Sequence, residues 1–371
     1  MNWAYLLLAY ISLFGLGLAD NIRGPVFPEL LSQFSLTNSQ GSLFFVLGSL
    51  AGMFNNLLTD RWLNRWGVMG SLRRYLLLLS AGCVTIALAN TIEVVWLGIV
   101  MIGASFGGLG VTQNLLAVHG SSKARRTQAL SGLHTMYALA SLLAPITVSF
   151  SYLLQWKWNQ TFFVAAAIPF LVLLWSFTEK TSPRLNLEHE DEGKSTLGLK
   201  PLFWIATFVS LYVNAEILVS SRLVQYVRAY ESYSPKQAND LLAGFFVALL
   251  AGRLLLTILR VPVKNSTLLV SSMTLAAFTM CLAIFIDPLW FIACGFAMSA
   301  SFPCAIAYAS ETFGAHTARV MAWIFTGNYV GLIVMQLAVG AISDALGLRQ
   351  ALILGPLFLV VGLAILLRKP R

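Results

Sequence analysis

The chain has 371 residues, 58 % of them hydrophobic and only 11 % charged, with a formal net charge of +9 and a mean hydropathy of +0.76. Soluble domains carry about 25 % charged residues, so this composition excludes a water-soluble globule. Apolar runs of about 20 residues follow one another with short breaks, the pattern of an all-α polytopic membrane protein. The short alternating segments of a transmembrane β-barrel do not occur.

The spacing predicts twelve spans, at 3–32, 39–59, 73–92, 94–118, 127–153, 159–178, 201–229, 236–260, 265–285, 288–309, 319–343 and 348–367. No basic region precedes the first, so it is expected to be a retained helix and not a cleaved signal. This first span holds Asp20, Asn21, Arg23, Gly24-Pro25, Pro28 and Glu29. An ionisable group at bilayer depth costs roughly 2.5–3.5 kcal/mol on insertion scales, and its usual return is a solute or ion pathway. The plainer reading is an internal Asp20–Arg23 pair at i,i+3 that only joins helices. Arg23 has two roles open to it, clamping a solute or neutralising Asp20.

Asn55 and Asn56 in the second span either face a cavity or serve packing. Asp60, Arg61, Arg65 and Gly67 form a basic connection to the third span. The fourth span is dense in glycine, and its Gly103-x-x-x-Gly107 fits close helix packing. Thr112, Gln113 and Asn114 follow as neutral hydrogen-bonding groups suited to solute hydroxyls. His134 in the fifth span is the histidine expected deepest in a span, as a packed neutral ring or as a relay or ligand. The segment 179–200 is polar and acidic, with Glu188, Glu190, Asp191 and Glu192, and reads as a linker dividing the spans six and six. The domains are therefore 1–178 and 201–371. The seventh span carries Asn214, Glu216 and, about 9 Å further along, Arg222, expected at an outer gate or snorkelling to the surface. Arg253 in the eighth span is expected to anchor a loop. Ser299, Ser301, Asn328, Tyr329 and Gln336 add neutral polar groups to later spans.

Lysine and arginine set the orientation. With the N-terminus in the cytoplasm, Arg61, Arg65, Arg73, Arg74, Lys123, Arg125, Arg126, the linker's basic residues, Arg260, Lys264, Arg319 and the C-terminal Arg368, Lys369 and Arg371 all fall inside. Lys157, Arg228, Lys236 and Arg349 fall outside. Both termini and the linker are thus expected in the cytoplasm. This bias accounts for the positive charge without nucleic acid, and the compact form fits a bacterial inner membrane. Cys83, Cys281, Cys294 and Cys304 lie within apolar runs at no metal-binding spacing, so no metal site is expected. Phosphate-loop, dinucleotide and hydrolase motifs do not occur, so neither enzyme activity nor a cofactor is expected.

The halves echo one another. Leu18-Ala19-Asp20 pairs with Asn214-Ala215-Glu216, and Phe44-Phe45-Val46 leading to Ala51-Gly52 pairs with Phe245-Phe246-Val247 leading to Ala251-Gly252. Parallel halves with a site at midplane are a transporter plan. The six-plus-six arrangement, Asp60-Arg61 with Arg65 and Gly67, and Gly340-Ala-Ile-Ser-Asp344-Ala-Leu-Gly347-Leu-Arg349 resemble the major facilitator superfamily. Leu211-Tyr-Val-Asn-Ala-Glu216, Gly252-Arg253 and His134-Thr-Met-Tyr137 leading to Ala144-Pro145 resemble its fucose and glucose/galactose symporter branch. The chain departs from the superfamily at Asn56 and Leu63, where glycines are usual. It departs from the branch in the fourth span, which lacks an inner acid.

The resemblance implies a monomeric secondary transporter of two six-helix bundles that works by alternating access. Asp20 and Glu216 are expected as ion-coupling residues, for a proton or, with the neighbouring amides, for Na⁺. Asn21, Arg23, Gln113, Asn114, His134, Asn214 and Asn328 are expected around a small polar solute, a sugar among the candidates. Asp60, Arg61, Arg65 and Arg253 are expected in the loop motif and gating. Rival readings are a drug or amphiphile exporter and, outside transport, a membrane sensor or lipid scramblase.

Overall fold

The computed structural model describes residues 1–179, 197–258 and 263–368. The expected linker lies mostly outside the described residues, as do Arg260, Lys369 and Arg371. The elements are α1 (Trp3–Asn21), α2 (Arg23–Phe34), α3 (Asn38–Ala87), α4 (Ile92–Gly120), α5 (Arg126–Leu153), α6 (Thr161–Ser176), α7 (Leu199–Tyr230), α8 (Pro235–Ile258), α9 (Asn265–Phe285), α10 (Trp290–Met298), α11 (Ser301–Phe313), α12 (Thr317–Leu346), α13 (Leu348–Leu352) and α14 (Leu354–Leu367).

Proline accounts for the two mid-span breaks that matter here. Pro25 has no N–H for the carbonyl of Asn21, and α1 ends at Asn21. Pro303 leaves the carbonyl of Ser299 without its helical donor, and α10 gives way to α11 there. Among the described residues, eleven stretches are long and apolar enough to cross a membrane. One of them, α3, has 50 residues, about 75 Å if straight and more than twice a hydrocarbon core of about 30 Å. It reverses at Gly67, whose φ of 68° lies in the left-handed region. Ser71 Oγ donates to the carbonyl of Trp62 at 3.4 Å, and Arg74 lies 4.4 Å over the ring of Trp66. Neither contact is within reach in a straight helix. The stretch 60–66, expected as a loop, is therefore helical. Nothing breaks a helix before Gly67, so the whole turn is confined to that residue.

The chain divides into two compact units, Met1–Leu36 with Leu43–Leu187 and Thr37–Ser42 with Glu188–Arg371. In the first unit α1 packs on α4, α5 and α6. The α3–α4 seam is built from glycine. A Cβ on Gly103 would collide with the carbonyl of Gly48, and one on Gly107 with the carbonyl of Gly52. Gly103-x-x-x-Gly107 thus meets Gly48-x-x-x-Gly52, and the backbones touch. Arg73 closes the end of α6: its Nη2 donates to the carbonyls of Ser176 (2.6 Å) and Glu179 (2.8 Å), and its guanidinium stacks on Phe177. Cations suit these unpaired C-terminal carbonyls.

In the second unit α7 packs on α12 and α14, and α8 on α10. The α8–α10 seam also uses glycine, but against larger partners. Gly252 faces Ser299, and Gly295 faces the backbone of Phe245. The pairing of Gly52 with Gly252 read from the sequence falls on equivalent seams of the two units.

Candidate functional sites in the two units

Each unit holds one carboxylate at mid-span, and each carboxylate meets one arginine and one tyrosine. In the first unit Asp20 is the penultimate residue of α1 and Arg23 the first of α2, so the pair straddles the break at Ile22. Arg23 Nη2 holds Asp20 Oδ1, and Arg23 Nε donates to the carbonyl of Asp20 at 3.0 Å. Nη1 reaches the carbonyl of Phe44 at 3.5 Å, and the guanidinium lies 5.3 Å over the ring of Phe45. The side chains of Arg23 and Asp20 are only 12 % and 19 % exposed. Tyr137 on α5 donates its hydroxyl to Asp20 Oδ2 at 2.5 Å. The arginine is thus paired with Asp20 and bonded to the first half of α3.

In the second unit Glu216 on α7 accepts from Tyr212, one turn earlier on the same helix. Arg253 Nη2 of α8 lies 3.5 Å from Glu216 Oε1, with the two side chains 28 % and 21 % exposed. Arg253, expected at a loop, is instead the inter-helix partner of Glu216. Its long side chain brings its charge to mid-span, and a carboxylate there needs a counter-charge. Each cluster pairs one negative with one positive group, so each is close to neutral overall.

The other expected site residues separate into two sets. Asn21, Asn114 and Asn214 each donate the side-chain amide to the carbonyl one turn back, of Gly17 (2.8 Å), Gly110 (2.7 Å) and Ser210 (2.8 Å). This common local bond occupies one of the two amide N–H groups and leaves the amide oxygen to accept. Asn21 and Asn114 are half-buried, and a Cβ on Gly110 would meet nothing within 4 Å, so the Asn114 turn borders open space. Asn328 is half-buried on α12, with its Oδ1 lacking a hydrogen-bond partner among the described residues. Gln113 and Asn214 are buried, each with its amide oxygen lacking a hydrogen-bond partner among the described residues. Gln113 is 1 % exposed and joins α4 to α1 by donating to Ser12 Oγ at 3.0 Å. Asn214 is 2 % exposed and lies where a side chain on Gly331 would stand. His134, expected deep, is exposed on α5, as are Asp60, Arg61 and Arg65 on the stretch of α3 before Gly67. Of the asparagine pair on α3, Asn55 serves packing and bridges Trp62 Nε1 and the carbonyl of Ala104.

Arg222 does not snorkel. It is wholly buried, and its Nη2 donates to Ser42 Oγ (2.7 Å) and Gln336 Oε1 (2.8 Å). Gln336 Nε2 in turn donates to Ser221 Oγ at 3.1 Å, so Gln336 belongs to this network. Within the same unit, Asp344 closes the start of α3. It accepts from the backbone of Asn38 (2.7 Å) and Ser39 (2.8 Å), while Gln40 N donates to Thr37 Oγ1 at 3.2 Å. Every N–H of that first turn is therefore satisfied. Ser301, the first residue of α11, is buried against Ser272.

Sequence reasoning missed both tyrosines as site residues. Tyr212 carried a local signal, four residues before Glu216 on one helix face. Tyr137 stands in the His134-Thr-Met-Tyr137 stretch, but nothing local links it to Asp20, which lies 117 positions away.

Comparison with known proteins agrees with this architecture. The Major Facilitator Superfamily matches residues 9–322 and 223–371. Among curated proteins none matches the chain. Among solved structures, the inward open xylose transporter XylE from E. coli aligns at TM-score 0.81 and 14 % identity, over 100 % of this chain and 97 % of its own. The nucleoside transporter NupG aligns at TM-score 0.80 and 12 % identity, over 99 % of this chain and 100 % of its own. The E. coli fucose:proton symporter FucP aligns at TM-score 0.66 and 17 % identity, over 99 % and 98 %. At such identities the likeness is one of fold. The family match spans nearly the whole chain, and the chain therefore belongs to the Major Facilitator Superfamily as a multi-pass membrane secondary transporter, not an enzyme.

Proposed function

We propose that this transporter moves a small polar solute by alternating access, driven by protons, with Asp20 as the coupling acid and Glu216 as a second acidic site. The observation that carries the reading is the pair of carboxylate–arginine–tyrosine clusters, one per unit, each at mid-span. A carboxylate beside a hydroxyl can take up a proton, and in the first unit the positive charge then left on Arg23 is still held by the carbonyls of Asp20 and Phe44 and the ring of Phe45. Sugars are the first solutes to test. The asparagine amide oxygens and the aromatic faces near Asp20 suit hydroxyl-rich rings, and two structural neighbours are named as proton symporters of fucose and D-xylose. The bias of lysine and arginine supports a cytoplasmic N-terminus and C-terminus in a cell inner membrane.

The test is uptake by proteoliposomes of a panel of sugars and nucleosides under an imposed pH gradient, with wild type and Asp20→Asn side by side. The expected result is accumulation by the wild type, and solute exchange without accumulation by the variant. Accumulation by Asp20→Asn at the wild-type level removes Asp20 from coupling. Accumulation that follows a sodium gradient and ignores the pH gradient replaces the proton.

A further inference from the structure

The two oxygens of Asp20 have different neighbours. Oδ1 faces the guanidinium of Arg23, and Oδ2 faces the hydroxyl of Tyr137 at 2.5 Å. A guanidinium only donates hydrogen bonds, whereas a hydroxyl both donates and accepts. A proton placed on Oδ1 would point at N–H donors. A proton placed on Oδ2 finds an acceptor as soon as the tyrosine O–H turns. The ring that carries this hydroxyl is fixed in place. It meets Phe106 of α4 edge-on, with centroids 6.5 Å apart and planes at 88°. It also lies against Gly17, where a Cβ would stand 3.0 Å from Tyr137 Cδ2.

We infer that the proton taken up by Asp20 resides on Oδ2, and that Tyr137 is the positioning residue for it. This rests on the reading of Asp20 as the coupling acid. In the step, a hydronium ion gives up its proton: one of its O–H bonds breaks as an O–H bond forms at Oδ2, water leaves, and the aspartate loses its negative charge. The Tyr137 hydroxyl turns from donor to acceptor, and none of its covalent bonds breaks. Arg23 keeps both its proton and its contact with Oδ1. The other elements packed on α1 bring little charge. α6 has no ionisable residue, and α4 has Glu93 and His119 near its two ends. α2 adds Glu29 beyond Arg23, and α5 adds His134, exposed one turn before Tyr137.

Tyr137→Phe tests this, because it keeps the ring and its contacts with Gly17 and Phe106. The variant removes a donor from the charged carboxylate and an acceptor from the neutral acid. The charge-assisted bond is the stronger of the two. The midpoint of the pH profile of solute accumulation is therefore expected to move to higher pH, by about one pH unit, a shift that a merely structural role for the ring would not produce. Infrared difference spectra across a pH step give a second readout. The protonated-carboxyl band that disappears in Asp20→Asn is expected to shift in Tyr137→Phe. An unmoved pH midpoint, or an unshifted band, overturns the inference while leaving Asp20 as the coupling acid. Wild-type accumulation by Asp20→Asn overturns the coupling reading and this inference with it.

Discussion

The two units place an acid at the same distance from the start of two spans of 32 residues each, yet they support it with exchanged parts. In the first unit the arginine is local, three residues along the chain, and the tyrosine arrives from another helix. In the second the tyrosine is local, four residues back, and the arginine arrives from another helix. The partner from afar is the one whose distance depends on helix packing. Movement of α5 against α1 thus changes a hydrogen bond at Asp20, whereas movement of α8 against α7 changes an ion pair at Glu216. The contact that stays with the acid differs accordingly. It is an ion pair at Asp20 and a hydrogen bond at Glu216.

The largest effect expected from this difference is at Arg23. Its guanidinium serves a carboxylate, two carbonyls and a ring while almost fully buried. Arg23→Gln leaves the Asp20 charge in place without its counter-ion, and breaking one side of a buried pair costs about 3–5 kcal/mol. Thermal unfolding in detergent should show a large loss. The double variant Asp20→Asn/Arg23→Gln should recover most of it, because no bare charge remains. A double variant as unstable as the single one would mean that Arg23 acts through its contacts with Phe44 and Phe45 instead.

The seams extend the comparison and give the next effect in size. The first unit sets glycine against glycine, so neither backbone can retreat. Gly107→Ala forces α3 and α4 apart, and overpacking of this kind costs about 1–3 kcal/mol. In Gly252→Ala the obstacle is the Ser299 side chain, which can rotate, so the loss should be smaller. Gly110→Ala, on the same helix as Gly107 but facing open space, is the control. It should be neutral or slightly stabilising through helix propensity. Equal losses at 107 and 110 would show that the seam is not what the substitution disturbs.

Much of this was legible in the sequence, for identifiable reasons. Apolar length gave the spans, Gly103-x-x-x-Gly107 gave a packed seam, and the matched Asp20 and Glu216 gave the mid-span acids. Each of these is a signal at short spacing in one segment. Features that depend on two distant segments were hidden. Tyr137 enters only as the end of a stretch resembling the symporter branch, with nothing to link it to Asp20, and Arg222 reads as a charge that should escape to the surface. The loop at 60–66 was misread because charged residues suggested a break. Charge does not end a helix, and the glycine at 67 does. The asparagines expected around a solute have a local partner that the sequence does not show. Three of them first satisfy a carbonyl of their own helix, and that local bond is available to any asparagine in a span.

Arg253 is where the exchange of parts predicts the smallest loss of stability. Its contact with Glu216 is longer than that of Arg23 with Asp20, and both groups reach more solvent. Partly exposed ion pairs contribute about 0–1 kcal/mol, so Arg253→Gln should unfold close to the wild-type temperature. Glu216 also keeps its Tyr212 hydrogen bond, which rides on the same helix and cannot be lost by movement of α8. Transport should respond more than folding. Without the inter-helix pair, the charge of Glu216 loses its ion-pair tie to α8, and the maximal rate of accumulation should fall by more than exchange does. Measuring both rates in the same vesicles separates the two. A variant that loses stability and transport in step would place Arg253 alongside Arg23 as a fixed support, and the two sites would then differ in sequence but not in kind.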